Sequence, residues 1–315
     1  MVSRYHSRMN TLALPEGYSI SSMTREEAEV LLGWAAAEGW NPGLADLEVA
    51  WSFDPQGFIA LRHAAEGEAA ELVGGGAILS YGGQCGFMGL FIMRADHRGQ
   101  GLGRVLWHER LRRLQARLQP GAFIAMDGVL NMAPFYAAGG FVRHYDDLRF
   151  QGPANADALA VPAGVATVPL ASVPFAEVDA YDREVFGRPR TGFLRRWLAV
   201  NGGFGLAVRG EAAAGTGVAG SLRGYGFLRP CLNGYKFGPV FANDASTARA
   251  LLRDLMARVP GQTVALDVPE TNVAAMGIAR ELGWTNPFNC AKMFLGPPPA
   301  DTTSRVFGVT SFEFG

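Results

Sequence analysis

Three alternating glycines between a short apolar run and a helical pattern are the part of the sequence best suited to chemistry. Gly99, Gly101 and Gly103 are flanked by Arg98 and Arg104. Because glycine has no Cβ, successive backbone N–H groups can point into one concavity. A helix that begins here adds unpaired N–H groups and the positive end of its dipole. The segment is therefore predicted to bind an anion such as a pyrophosphate.

Two common nucleotide-binding loops do not match this segment. A Walker A loop ends in Gly-Lys-Ser/Thr, whereas Gly103 is followed by Arg104 and Val105. A dinucleotide fingerprint needs a third glycine three residues after the second, and Gly101 lacks one at that spacing. The pattern that the segment does contain is Arg-x-x-Gly-x-Gly, which begins at Arg98. The alternative is a strand–helix turn without a ligand, because glycines are common in loops.

The neighbouring patterns indicate which elements hold this loop. The apolar residues 87–93 predict a buried strand, and the leucine spacing over 102–118 predicts a helix. A second strand is expected over 122–126, ending at Asp127. A short helix over 131–138 follows, with a proline tolerated in its first turn.

An earlier helix carries a cap signal. Ser22 or Thr24 is predicted to cap a helix that begins near Arg25, and Glu27 completes a capping box with Thr24.

Length, composition and charge limit the classes of protein. The chain has 315 residues, which suffices for two domains, and its net charge of −1 argues against a nucleic-acid-binding surface. Cys85, Cys231 and Cys290 lie far apart without metal-ligand spacing, so we expect reduced thiols and no metal site. No signal peptide and no apolar run of membrane-spanning length is recognised, which predicts a cytoplasmic protein without a membrane partner.

Two motifs resemble those of one enzyme superfamily. Arg-x-x-Gly-x-Gly at 98–103 resembles the acyl-CoA pyrophosphate loop of the GNAT superfamily of N-acetyltransferases. Phe-Tyr-x-x-x-Gly-Phe at 135–141 is similar to the late Leu-Tyr-x-x-x-Gly-Phe motif of that superfamily. The predicted element order of residues 17–150, β-α-α-β-β-β-α-β-α-β-β, also resembles its fold.

The second half of the chain repeats the first weakly. Ala-Met-Asp at 125–127 corresponds to Ala-Leu-Asp at 265–267, each at the end of a predicted strand. The strand ending at Phe241 has no glycine loop after it, and Ala279 stands where the first half has Tyr136. We therefore expect the second copy not to bind CoA.

The whole chain resembles a tandem GNAT subfamily whose C-terminal half is such a degenerate copy. The resemblance is carried by Trp-Asn-Pro-Gly at 40–43, Gly-Tyr-Gly-Phe-x-Arg-Pro at 224–230 and Phe-Gly-Val-Thr-Ser at 307–311. It implies an α/β (α+β) fold of two tandem domains, each a mixed, mostly antiparallel twisted sheet flanked by helices. The predicted division is an N-terminal lead-in at 1–16, an acyl-CoA-binding catalytic domain at 17–150, a linker at 151–164 and a degenerate GNAT-like domain at 165–315.

The resemblance also implies acetyl-CoA as cosubstrate and direct attack of an amine on its thioester, without a covalent enzyme intermediate. Backbone N–H groups of residues 91–93 would hold the pantetheine and polarise the thioester carbonyl. The implied CoA-binding residues are Phe91, Ile92, Met93, Arg98, Gly99, Gln100, Gly101, Leu102, Gly103 and Arg104.

Tyr136 and Asp127 are the candidate catalytic residues. A phenol is protonated at neutral pH and can donate to the leaving thiolate, and the place of Tyr136 in the motif favours this role over that of an ordinary packed tyrosine. Asp127 is a candidate general base or a cap for the turn that follows it. Acceptor binding is assigned to Trp40, Asn41, Asp127, Tyr225 and Arg229, of which the aromatic residues could instead be core and Arg229 could instead pair with a carboxylate.

The predicted activity is transfer of an acetyl group to a primary amine of a small acceptor that the sequence does not identify. The alternative is a non-catalytic acyl-CoA sensor or interaction scaffold. The expected partner is a small-molecule amine, and the expected state is a monomer or homodimer.

Overall fold

The computed structural model describes residues 14–211 and 220–315, so most of the predicted lead-in at 1–16 lies outside the described residues. In the first half the strands are β1 (Tyr18–Ser22), β2 (Phe58–His63), β3 (Glu71–Tyr81), β4 (Cys85–Met93), β5 (Phe123–Val129) and β6 (Val142–Pro153), and the helices are α1 (Arg25–Ala37), α2 (Asp46–Phe53), α3 (Leu102–Gln115) and α4 (Ala133–Ala138). In the second half the strands are β7 (Thr167–Pro169), β8 (Phe204–Arg209), β9 (Leu222–Pro230), β10 (Tyr235–Ala242), β11 (Thr263–Pro269), β12 (Thr285–Leu295) and β13 (Val306–Gly308), and the helices are α5 (Phe175–Phe186), α6 (Thr191–Trp197), α7 (Ala245–Met256) and α8 (Val273–Glu281).

The strands join in one continuous sheet that runs through both halves. Its order is β1-β2-β3-β4-β5-β12-β6-β11-β10-β9-β8-β7, and β13 adds to β10. Only the pairs β4–β5 and β10–β11 are parallel among the described strands. The expectation of mixed, mostly antiparallel sheet with flanking helices is therefore confirmed.

The last long strands of the two halves are exchanged. β12 belongs to the second half by sequence, yet it pairs with β5 on one side and with β6 on the other. β6 in turn pairs along its other edge with β11. Residues 142–153 form one strand, whereas the predicted element order of the first half ends in two strands, and the sequence pattern predicts no strand at β12. β6 extends to Pro153 and so enters the predicted linker at 151–164. The division of the chain at residues 150 and 165 stays a prediction from the sequence.

Helices cover both faces of the sheet in the first half. One face packs against α1, α2 and α6 around residues such as Leu31, Leu47 and Trp197. The other face packs against α3 and α4 around Leu106 and Tyr136. No helix within the described ranges is both long and apolar enough to cross a membrane.

The predicted capping box at the start of α1 is confirmed, and Thr24 is its N-cap residue. The Thr24 hydroxyl accepts a hydrogen bond from the backbone N–H of Glu27, and the Glu27 carboxylate accepts one from the N–H of Thr24 at 2.8 Å.

We expect Thr24→Ala to lower the free energy of unfolding by about 1 kcal/mol, because one N–H of the first turn loses its acceptor. Urea denaturation measures this change. Ser22→Ala is the matched control, since Ser22 is exposed and is not the cap residue. A larger loss for Ser22→Ala would show that the cap is assigned to the wrong residue.

Candidate active site

β4 and β5 run together for a short distance and then separate. Their parallel pairing ends at Phe87 and Ala125. Beyond that point the two strands enclose a cavity of about 730 Å³ that reaches both faces of the sheet. The predicted site residues that line it are Trp40, Phe91, Ile92, Met93, Arg98, Gly99, Gly101, Gly103, Arg104, Asp127 and Tyr136.

A β-bulge in β4 helps to open this cavity. Gly75 of β3 pairs with Ile92 and Ala77 pairs with Gly89, so β4 carries one extra residue, and Leu90 has a φ of 50°. The guanidinium of Arg110 on α3 is buried beneath the bulge, where it donates to the carbonyls of Ala77 at 2.6 Å and Gly89 at 2.7 Å. Hydrogen bonds from Arg110 thus hold β3 and β4 together where the ladder is irregular.

The glycine loop forms an open cradle at one end of the cavity. Gly99 and Gly101 have φ values of 75° and 81°, and a Cβ on either would meet no atom within 4 Å among the described residues. Gly101 is the N-cap of α3, and no side chain caps this helix end. The N–H groups of the first turn therefore point toward open space, an arrangement that fits a pyrophosphate.

The two arginines of the loop differ in their contacts. Arg98 donates from Nε to the carbonyl of Met93 at 2.8 Å and pairs with Glu38 at 2.7 Å. Arg104 is exposed at the cavity and makes no ion pair among the described residues. The Gln100 side chain donates to the carbonyl of Asp96, and Leu102 is buried in the core; neither lines the cavity. Arg104 therefore has the side chain more available for a phosphate.

Tyr136 lies on α4 in the wall of the cavity. Its ring packs 4.8 Å from that of Trp107, and Gly128 leaves room for it, since a Cβ there would lie 2.6 Å from the Tyr136 ring. Its hydroxyl makes no hydrogen bond within the described part of the chain. Burial raises the pKa of Tyr136 to about 12, although the nearby charge of Arg110 opposes the shift. The phenol is therefore protonated at neutral pH and has a proton to donate.

Asp127 lies inside β5, which continues to Val129, so it does not end the strand as expected. Its carboxylate is buried and accepts from Lys292 Nζ at 3.0 Å. Burial raises the pKa of Asp127 against the opposing charge of Lys292. Burial and the Asp127 charge raise the pKa of Asp147 well above its usual range. Lys292 is thus the charge partner of Asp127, and burial still favours the protonated form of the Asp127 carboxyl.

The turn that begins at Trp40 reaches across to the second half. Trp40 lines the cavity, and its backbone carbonyl accepts hydrogen bonds from Arg149 and Lys236. Asn41 does not line the cavity, contrary to expectation. Its amide donates to the carbonyl of Asn233 at 3.0 Å and its carbonyl oxygen accepts from the Asn233 N–H, so Asn41 positions the turn.

Tyr225 and Arg229 lie in the core and not at the cavity, which corrects their assignment to the acceptor site. Arg229 makes a buried ion pair with Asp46, with a shortest separation of 2.7 Å, and its guanidinium lies 4.4 Å from the Trp197 ring. The hydroxyl of Tyr225 donates to Asp182 at 3.2 Å. Their polar groups point inward because each has a buried carboxylate as partner, a pattern that local sequence does not show.

Residues from the end of the chain line the cavity although the sequence pattern did not single them out. Phe288 and Cys290 come from β12, and Phe312 and Glu313 come from the segment after β13. Cys290 is buried, and burial raises its pKa well above the usual range, which disfavours the reactive thiolate. The motif at 307–311 was a signal that this region matters, but it did not indicate which residues reach the cavity.

The corresponding place in the second half is filled. β10 and β11 are parallel at Tyr235 and Lys236, but β13 then pairs with β10 in the gap between them. At the start of α7 the Asp244 carboxylate accepts from the N–H of Thr247, so a negative charge already caps that helix. Both features disfavour binding of an anion at the start of α7.

We therefore expect one CoA to bind per chain. Isothermal titration of the full chain with CoA measures the stoichiometry. Two equivalent sites per chain would contradict the assignment of the cradle to the first half alone.

Comparison with known proteins agrees with this geometry. A family model described as Acetyltransferase (GNAT) family matches residues 20–141, and one described as Acetyltransferase (GNAT) domain matches residues 178–308. A holothin acyltransferase of Pseudoalteromonas sp. (strain SANK 73390) is 26% identical over 291 residues, which cover 92% of this chain and 92% of that protein.

Two solved structures share the fold over most of their length. A putative acetyltransferase from Pyrococcus horikoshii superposes with a TM-score of 0.77 at 18% sequence identity. The alignment covers 98% of this chain and 100% of that protein. A tandem GNAT protein from the clavulanic acid biosynthesis pathway superposes with a TM-score of 0.60 at 16% sequence identity. That alignment covers 90% of this chain and 100% of that protein.

Proposed function

Because the chain belongs to the GNAT superfamily and carries two of its domains in tandem, we propose that this acyltransferase moves an acetyl group from acetyl-CoA to the amine of a small acceptor. The observation that carries the proposal is the open glycine cradle at one end of the cavity, with the unpartnered Tyr136 hydroxyl farther along its wall. Both features lie in the first half.

The residues of the chain supply positioning, polar stabilisation and a proton. The cradle and Arg104 would hold the pyrophosphate, and the edge of β4 beyond Phe87, which no longer pairs with β5, offers backbone groups to the pantetheine and thioester. When bound, acetyl-CoA supplies the activated acyl group. Tyr136 donates its proton to the sulfur that leaves.

The acceptor is expected to have a largely apolar body. The cavity is also lined by Trp40, Leu90, Phe288 and Phe312, whose side chains favour a flat or apolar molecule. The name of the holothin acyltransferase gives holothin as its acceptor, which supports acyl transfer to an acceptor here too.

Release of free thiol from acetyl-CoA in the presence of a panel of small amines tests the proposed function. We expect turnover that depends on both acetyl-CoA and one class of amine. Binding of CoA without thiol release for any amine would favour the non-catalytic sensor, and absence of CoA binding would exclude both.

A further inference from the structure

We propose that Glu313, on the segment 309–315 that follows β13, is the general base that takes the proton from the attacking amine. This assignment rests on the proposed function, for which the acceptor amine must lose a proton. The base would then come from the second half of the chain, while the cradle and Tyr136 come from the first.

The segment containing Glu313 lies directly against β4. A Cβ on Gly89 would overlap the backbone carbonyl of Glu313, so only glycine permits this approach. The hydroxyl of Tyr81 donates to the carbonyl of Phe314, whose ring is fully buried in the core of the first half. These contacts hold Glu313 beside the bulge at Leu90, where β4 and β5 have separated.

Three carboxylates line the cavity, and two of them have strong partners. Glu38 lies at the loop end, where its side chain is partly exposed and pairs with Arg98 at 2.7 Å. Asp127 is held by Lys292 at 3.0 Å through Oδ2, and its Oδ1, which has no hydrogen-bond partner among the described residues, is fully buried. Glu313 is the remaining one, and it is 3% exposed.

The charges packed around Glu313 leave one of its oxygens available. Oε2 accepts from the Ser311 hydroxyl at 2.6 Å. Oε1 makes no hydrogen bond within the described residues, and its ion-pair partner, Lys236 Nζ, is 3.9 Å away. Lys236 donates to the carbonyl of Trp40 at 3.0 Å. The oriented carboxylate therefore keeps one oxygen free to accept a proton.

The neighbouring buried cations do not compete for that oxygen. Arg149 makes a two-point ion pair with Asp267, at 2.7 and 2.8 Å, and Arg229 makes one with Asp46, at 2.7 and 3.0 Å. Three buried cations thus pair with three carboxylates here. The pair between Lys236 and Glu313 has the longest separation, 3.9 Å.

The proposed step balances in atoms and charge. The acceptor binds as an ammonium ion, and Glu313 takes one of its protons so that the nitrogen has a free electron pair. The nitrogen forms a bond to the thioester carbonyl carbon, the carbon–sulfur bond breaks, and the electron pair stays on sulfur, which receives the Tyr136 proton. The second proton of the nitrogen passes through solvent to the Tyr136 phenolate, and Glu313 releases its proton to solvent.

The test compares Glu313→Gln with the unmodified chain on two kinds of amine. For an amine that is protonated at neutral pH, we expect the rate of thiol release to fall at least about 10²-fold, because its proton must be removed before attack. For a weakly basic amine, already uncharged at neutral pH, we expect a much smaller loss. Glutamine has nearly the same size, so the CoA dissociation constant and the melting temperature should change little.

Two further variants separate a base from a structural residue. Glu184→Gln makes the same chemical change at an exposed carboxylate of α5 and should leave both rates unchanged. Ser311→Ala removes the hydroxyl that orients Oε2 and should cause a smaller loss with the same preference for protonated amines, which also tests the assignment if Glu313→Gln does not fold.

Equal rates for Glu313→Gln and the unmodified chain, or equal losses with both kinds of amine, would overturn the assignment of Glu313. No thiol release by the unmodified chain with any amine would instead overturn the proposed function, and this assignment with it.

Discussion

Gly101→Asp is expected to weaken CoA binding about 10³-fold while the chain stays folded. A Cβ at Gly101 would meet no atom of the described residues within 4 Å, so an aspartate side chain there would start in the open space of the cradle. There its carboxylate would repel a phosphate by about 4 kcal/mol at a separation of roughly 4 Å, and each ~1.4 kcal/mol is a factor of ten in affinity. Isothermal titration with CoA measures the loss.

A matched glycine separates charge from backbone strain. Gly121 has a φ of 83°, close to the 81° of Gly101, and a Cβ there also meets no atom within 4 Å. It lies in the turn between α3 and β5, outside the cavity. Gly121→Asp should therefore carry the same strain and leave CoA affinity unchanged, whereas Gly101→Ala should lose only part of the affinity. If Gly101→Asp binds CoA normally, the loop serves packing alone.

Tyr136→Phe is expected to lower turnover about 10²–10⁴-fold, or roughly 3–5 kcal/mol of activation free energy. The hydroxyl has no partner among the described residues, so its removal breaks no hydrogen bond and leaves the packing of the ring on Trp107 in place. Since the cradle holds the pyrophosphate, CoA binding should be nearly unchanged. Steady-state turnover and CoA titration on the same preparation measure both quantities.

The control for Tyr136→Phe is Tyr235→Phe. Tyr235 is half-buried in the second half, lies outside the cavity and makes no hydrogen bond through its hydroxyl among the described residues. Its loss should not change turnover. Equal turnover of the unmodified chain and Tyr136→Phe would remove Tyr136 from the mechanism and leave solvent as the proton donor.

Local sequence was sufficient for features that depend on neighbouring residues. The glycines and the helix start determine the cradle, because positive φ values and unpaired N–H groups are properties of a few consecutive residues. The capping box at Thr24 and the tandem GNAT fold class are of the same kind, since caps and recurring motifs are short-range patterns. The sequence also shows that the second half lacks the glycine loop after Phe241 and has Ala279 in place of Tyr136.

Only the tertiary structure decided which distant residues meet at the cavity. β12 reaches β5 by crossing between the halves, and residues 312–313 reach β4 through an approach that Gly89 permits. The same folding buries Arg229 against Asp46 and Asp127 against Lys292, pairs separated by more than 160 positions in the chain. A charged side chain is driven to a buried partner by the cost of leaving it unpaired, and the identity of that partner depends on the packing of the whole chain.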